Sequence, residues 1–138
     1  MHDPAKIDKP LIRVIDDDDA MRNSWAFLIE GEGWDVKTYA DAITFLSSND
    51  YIRPGCLLLD VRMPHMSGLE LQLKLREAGC DLPIIFISGH GDIDMAVKTM
   101  KDGADDFLSK PVTPERLLDA IEKAVKRDAR IRTESAAL

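Results

Sequence analysis

Five polar residues stand where strand-length apolar runs end. Asp16 and Asp17 follow Leu-Ile-Arg-Val-Ile, Asp60 follows Cys-Leu-Leu-Leu, Ser88 follows Ile-Ile-Phe-Ile, and Lys110 closes Asp-Phe-Leu-Ser. In an open parallel sheet, ligands bind beyond the carboxyl ends of the strands, so these five side chains would converge on one edge. Three carboxylates meeting there repel one another unless a cation sits among them or one takes a proton. A hard divalent ion with oxygen ligands resolves the conflict, which suits Mg²⁺, or Mn²⁺ in its stead. An aspartate beside such an ion can attack a phosphoryl group and form an aspartyl phosphate. The ion and Lys110 would then neutralise the phosphoryl oxygens, and Ser88 would donate a hydrogen bond to one of them.

Each residue also has a plainer reading. Asp18 and Asp19 read as a solvated charge run with a helix cap, whereas Asp16 directly ends an apolar strand and fits that description poorly. Taken singly, Ser88 is an ordinary loop hydroxyl and Lys110 a surface lysine before a turn-forming proline. His90, in Ser-Gly-His-Gly, reads as an exposed loop histidine, because neither His2 nor His65 has ligand spacing to it. Cys56 and Cys80 form no C-x-x-C and read as reduced structural thiols.

The elements that must position the five residues follow from the alternation of apolar runs with helical periodicity, the pattern of a parallel sheet covered by helices. Strands are expected at residues 11–16, 34–39, 56–60, 84–88 and, more weakly, 106–109. The third and fourth are continuously apolar, as central strands buried on both faces should be. A first helix would use Asp19 as its N-cap and Met21, Trp25 and Leu28 as its inner face. Short helices are expected over residues 41–48 and 68–78. Ile93, Ala96, Val97 and Met100 follow the i, i+3, i+4, i+7 rule and predict a fourth helix over residues 92–101, closed by Gly103. Thr113-Pro114-Glu115 is a strong start for a fifth, with Leu118, Ile121 and Val125 inward. From Lys126 onward the apolar period is lost, which reads as a frayed helix end or a linker. The fold class expected is α/β, doubly wound, with one domain over residues 11–127, an N-terminal extension over 1–10 and a tail over 128–138.

A chain of 138 residues, 45% hydrophobic and 31% charged, fits one globular domain. Its net charge of -7 gives no general attraction to nucleic acid or anionic membrane, so DNA binding by this segment is not expected. No run approaches the about 18 apolar residues of a membrane span, and Met-His-Asp-Pro lacks the features of a signal peptide. No membrane partner is therefore expected, and the cytoplasm is the expected compartment.

Four motifs in order carry a resemblance. They are Val14-Ile15-Asp16-Asp17; Leu59-Asp60-Val61-Arg62-Met63-Pro64 with Ser67-Gly68; Ile87-Ser88-Gly89-His90-Gly91-Asp92; and Gly103-Ala104-Asp105-Asp106-Phe107-Leu108-Ser109-Lys110-Pro111. Over about residues 11 to 125 the chain resembles the receiver domains of two-component response regulators, and most those of FixJ- and NarL-type transcriptional regulators. The resemblance implies a five-stranded sheet in the order 2-1-3-4-5 with five helices, as in CheY-like folds. It makes Asp60 the phosphoacceptor. Asp17, Asp60 and the backbone carbonyl of Arg62 would coordinate Mg²⁺, with Asp16 acting mainly through water. Lys110 would contact Asp60 and then the phosphate, and its bond to Pro111 would be cis. Ser88 and Phe107 fill the family's two switch positions, so the face of helix four, strand five and helix five is expected to shift on phosphorylation.

The implied partners are a sensor histidine kinase and, after phosphorylation, a second copy of the chain; DNA would be reached only through an output domain absent from these residues. The chain reads as a receiver taken from a longer regulator, with a stand-alone regulator or phosphorelay component as the alternative. Rival classes fit less well. A flavodoxin-like cofactor binder would set an anion against the acidic run of residues 16–19. An aspartate-nucleophile phosphatase usually has an acid two residues after the nucleophile, where this chain has Arg62. A Gly-x-Ser-x-Gly hydrolase would need glycine at Phe86. A pseudo-receiver would keep the fold without the chemistry, against which stands the complete set of Asp16, Asp17, Asp60, Ser88 and Lys110. Turnover of an outside substrate is not expected.

Overall fold

The structure is a computed structural model that describes residues 9–89 and 93–137. Five strands, β1 (Leu11–Ile15), β2 (Asp35–Tyr39), β3 (Gly55–Asp60), β4 (Ile84–Ser88) and β5 (Asp106–Ser109), form one sheet in the order β2-β1-β3-β4-β5. Every pairing is parallel. Five helices, α1 (Asp19–Gly31), α2 (Ala42–Ser48), α3 (Gly68–Glu77), α4 (Ile93–Lys101) and α5 (Pro114–Ala137), lie in the crossovers and at the end. The expected α/β fold, sheet order and helix number are all present.

Alternation along the strands divides the core into two layers. Ile12, Val14, Cys56, Leu58, Ile85 and Ile87 face one way, onto Trp25 and Ile29 of α1 and Leu117, Ile121 and Val125 of α5. Ile15, Leu57, Leu59, Ile84 and Phe86 face the other way, onto Phe45 of α2 and Leu71 and Leu75 of α3. Burial of both faces explains why the middle strands are apolar throughout. Arg13 is the exception within β1. Its guanidinium is fully buried and donates to the carbonyls of Leu11, Asp50 and Arg53, fastening the segment that leads into β3.

Several local expectations are corrected. The N-cap of α1 is Asp18, whose carboxylate accepts the Met21 N–H at 3.1 Å; Asp19 is the first helical residue. In α5 the first inward leucine is Leu117, and Leu118 is only partly buried. The apolar stripe of α4 points outward: Ile93, Val97 and Met100 are exposed, and Thr99 is the buried residue of that helix. The start expected at Asp92 lies outside the described residues, as do His90 and Gly91. From Lys126 to Ala137 α5 continues as helix instead of fraying. Its buried register position passes from Val125 to Asp128, whose carboxylate accepts the Gly55 N–H at 3.0 Å and the Arg132 Nε–H at 2.8 Å.

Candidate functional site

The three aspartates meet at the carboxyl edge of the sheet because β1 and β3 are neighbours in register, Ile15 lying opposite Leu59. One carboxylate oxygen from each of Asp16, Asp17 and Asp60 lies within 4.8 Å of the others. Asp16 is buried, Asp60 partly buried and Asp17 exposed. Asp16 is oriented by the Asp18 N–H, which donates to it at 2.9 Å as the chain turns into α1.

The position of Asp60 depends on how α3 begins. Ser67 caps that helix by accepting the Glu70 N–H, and the Gly68 N–H donates to Val61 O at 2.9 Å. A Cβ at Gly68 would sit 2.4 Å from the Asp60 carbonyl oxygen, so a glycine is required for α3 to start against the end of β3. Arg62, exposed two residues beyond Asp60, turns its backbone N–H toward the Asp60 carboxylate.

Ser88 ends β4 and is buried, and its carbonyl accepts the Lys110 N–H at 2.8 Å. That bond sets Lys110 beside β4, where its ammonium acts on Asp60 and Asp16; the Lys110–Pro111 peptide is cis. Phe107, one strand over, is partly buried with its ring centroid 6.4 Å from that of Phe86.

Burial pushes the Asp60 carboxyl up to about 6; Asp16 adds to the rise, Lys110 and the Arg62 N–H oppose it, and Asp17 contributes a smaller upward push. Asp16 is also raised, chiefly by burial. The two charges are thus held together at a cost that a cation would relieve. Oxygen-only donors at this spacing fit a hard divalent ion.

Two contributors escaped the sequence reading. Arg22 on α1 donates to the Asp16 carbonyl at 2.7 Å. Trp25 packs beneath the site, lining a small void with Asp16 and Asp60, and its buried indole N–H has no hydrogen-bond partner. Neither stands at a strand end. Only the path of α1 brings them there.

An acidic cluster with an adjacent lysine at the carboxyl edge of a parallel 2-1-3-4-5 sheet defines a doubly wound α/β domain with a candidate metal-assisted anion site. The chain belongs to the response regulator receiver domain family, whose model matches residues 12–122. It is 51% identical over 116 residues to the response regulator protein TmoT of Ectopseudomonas mendocina, covering 84% of this chain and 53% of that protein. With the transcriptional regulatory protein FixJ of Bradyrhizobium diazoefficiens the identity is 43% over 116 residues, covering 84% and 57%. The chain therefore spans about half the length of the curated relatives it matches. Among solved structures, the response regulator StyR superposes with a TM-score of 0.88 at 43% identity, over 94% of this chain and 65% of that one. FixJ-N gives 0.80 at 39%, over 91% and 96%. Among the described residues no helix is long and apolar enough to cross a membrane.

Proposed function

We propose that this receiver accepts a phosphoryl group on Asp60 from the phosphohistidine of a sensor histidine kinase, with Mg²⁺ held by Asp17, Asp60 and the Arg62 carbonyl, and by Asp16 mainly through water. The observation that carries the reading is the meeting of three carboxylate oxygens within 4.8 Å at a half-buried Asp60. When bound, Mg²⁺ would supply the positive charge that lets these carboxylates and a phosphoryl group share one site. An Asp60 oxygen forms the new bond to phosphorus as the phosphorus–nitrogen bond breaks, and the imidazole keeps the electron pair and gains a proton. Lys110 neutralises one phosphoryl oxygen, and the Ser88 hydroxyl donates to another. Hydrolysis of the acyl phosphate returns the carboxylate, so the domain catalyses its own phosphorylation and dephosphorylation and turns over no outside substrate.

The output is read from α4, β5 and α5. Movement of Ser88 toward the phosphate and inward rotation of Phe107 would bias that face between two states. The exposed Ile93, Val97 and Met100 on α4 favour pairing with a second phosphorylated copy. In longer proteins such pairing would control transcription through a DNA-binding domain; a stand-alone receiver would act through protein contacts or a phosphorelay.

Intact mass after incubation with Mg²⁺ and a small acyl-phosphate donor tests the chemistry. One added phosphoryl group is expected in the parent chain and none in Asp60→Asn; no gain, or a gain that survives the substitution, overturns the reading. Sedimentation with beryllofluoride tests the output, and an unchanged monomer rules out dimerisation.

A further inference from the structure

The run from Asp16 to Asp19 is a turn folded around Arg22. The Asp16 N–H donates to Tyr39 O at 3.2 Å, the Asp16 carboxylate accepts the Asp18 N–H at 2.9 Å, and the Asp18 carboxylate caps α1. Arg22, one turn into α1, reaches back to the rest. Its backbone N–H donates to Asp18 O at 2.9 Å, its Nη1 to Asp16 O at 2.7 Å and its Nη2 to Asp19 Oδ1 at 2.5 Å. Arg22 therefore touches three of the four aspartates. The fourth, Asp17, is exposed and its carboxylate takes part in none of these bonds, yet one of its oxygens lies within 4.8 Å of oxygens of Asp16 and Asp60.

A contact with Asp19 alone would be an ordinary i, i+3 surface pair of little worth, since the Asp19 side chain is 81% exposed. The bond to Asp16 O is of another kind. β1 ends at Ile15, so this carbonyl lies past the last residue of the strand, and a guanidinium on a side chain only 14% exposed takes it. The same carbonyl belongs to the peptide that joins Asp16 to Asp17. A rigid planar fork seated on two acceptors restricts the rotation of that peptide, and with it the direction in which the Asp17 side chain leaves the backbone.

We infer that Arg22 is a positioning residue of the metal site: its fork holds the Asp16–Asp17 peptide so that Asp17 is aimed at the cation, as outer contacts orient metal ligands elsewhere. The inference rests on the Mg²⁺ reading proposed above. Its sign separates it from simple electrostatics. Arg22 is itself a cation near a cation site, so its charge alone opposes Mg²⁺, and only its geometry favours the ion.

Calorimetric titration of the intact chain with Mg²⁺ tests this, and amide exchange in EDTA supplies a readout without the metal. Arg22→Met removes the fork and keeps an unbranched side chain. It is expected to bind Mg²⁺ about tenfold more weakly than the parent. In EDTA it should exchange the Asp18 amide about fivefold faster, as the turn opens. Arg22→Lys keeps the charge but cannot span Asp16 O and Asp19 Oδ1, so it should also bind more weakly. Equal or tighter Mg²⁺ binding by Arg22→Met would leave Arg22 with a charge effect or none and overturn the inference, as would parental affinity in Arg22→Lys. Weaker binding that comes with a lower melting temperature in EDTA and faster exchange throughout the chain, in both variants, would make Arg22 a general fold contact and overturn it too. Absence of Mg²⁺ binding by the parent would overturn the metal reading and the aiming of Asp17 together, whereas binding by the parent with unchanged variants would overturn the role of Arg22 alone, so the two failures are distinguishable.

Discussion

Replacing Asp60 by asparagine in Mg²⁺-free buffer should stabilise the fold, and the gain should grow with pH. Burial and the neighbouring Asp16 push the Asp60 carboxyl from 3.8 up to about 6. A folded-state pKa above the unfolded one means that the native protein binds the extra proton between those values. Stability from this group is therefore fully present below pH 3.8 and is lost as pH rises through 6. Integrated over that range, the loss is about 1 kcal/mol at pH 4.5 and about 3 kcal/mol at pH 7.5, since a tenfold change in proton affinity is worth about 1.36 kcal/mol. Asp60 is only partly buried, and water screening lowers the second figure to about 2 kcal/mol. The amide introduced by Asp60→Asn has nothing to titrate, so the gap between variant and parent should widen by about 1 to 2 kcal/mol from pH 4.5 to 7.5. Urea unfolding followed by far-ultraviolet circular dichroism, with EDTA present, measures the gap at each pH. Background effects shared by the two proteins cancel in the difference. A gap that stays constant, or a variant less stable than the parent at pH 7.5, would refute the claim that Asp60 is held as an unrelieved charge. Adding Mg²⁺ should stabilise the parent more than the variant, since the ion binds only the folded site.

Three further outcomes follow from single contacts. Gly68→Ala forces a methyl to within 2.4 Å of the Asp60 carbonyl oxygen and should cost about 1–3 kcal/mol, read by thermal unfolding, together with a weaker response to Mg²⁺. Trp25 shares a void with Asp16 and Asp60, so its emission should change as Mg²⁺ is titrated; in Trp25→Phe the remaining Trp34 should give a flat trace, and a signal surviving there would place the response elsewhere. Asp128→Ala strands the buried Gly55 N–H and leaves Arg132 with only its bond to the Ile52 carbonyl, with an expected loss of about 1–3 kcal/mol in urea unfolding and faster exchange over the last two turns of α5.

Strand ends were legible because an apolar run that must be buried stops where the sheet meets water, and a polar residue at that stop lies on one predictable edge. This logic located Asp16, Asp60 and Ser88 from residue order alone. The faces of α4 and the length of α5 were not legible, for a shared reason: each is decided by a buried polar group. On α4 the amphipathic rule marked Ile93, Ala96, Val97 and Met100, but the helix seats through Met95 and Thr99, with the amide of Gln72 on the Thr99 carbonyl, leaving Ile93, Val97 and Met100 outside. On α5 the apolar period stops at Val125 because the next buried position is a carboxylate satisfied by Gly55 and Arg132. Hydropathy counts both as solvent-facing. The cap of α1 was displaced by one residue because four consecutive aspartates give composition no basis for choosing among them; the turn that lets Asp16 accept the Asp18 N–H decides it.

The two polar anchors also bear on where a signal from Asp60 can travel. The middle strands are buried on both faces and paired on both edges, so displacing them disturbs two packed layers at once. At the opposite end of the sheet α5 is tied to the first residue of β3 through Asp128, which resists independent motion of its C-terminal half. Among its described residues helix α4 has one buried side chain, Thr99, with Met95 packed partly against the core and Ile93, Val97 and Met100 in solvent. It also follows directly on the strand that ends in Ser88. Ile93, Val97 and Met100 of α4 lie exposed, and they are the residues that the proposed pairing with a second copy would bury.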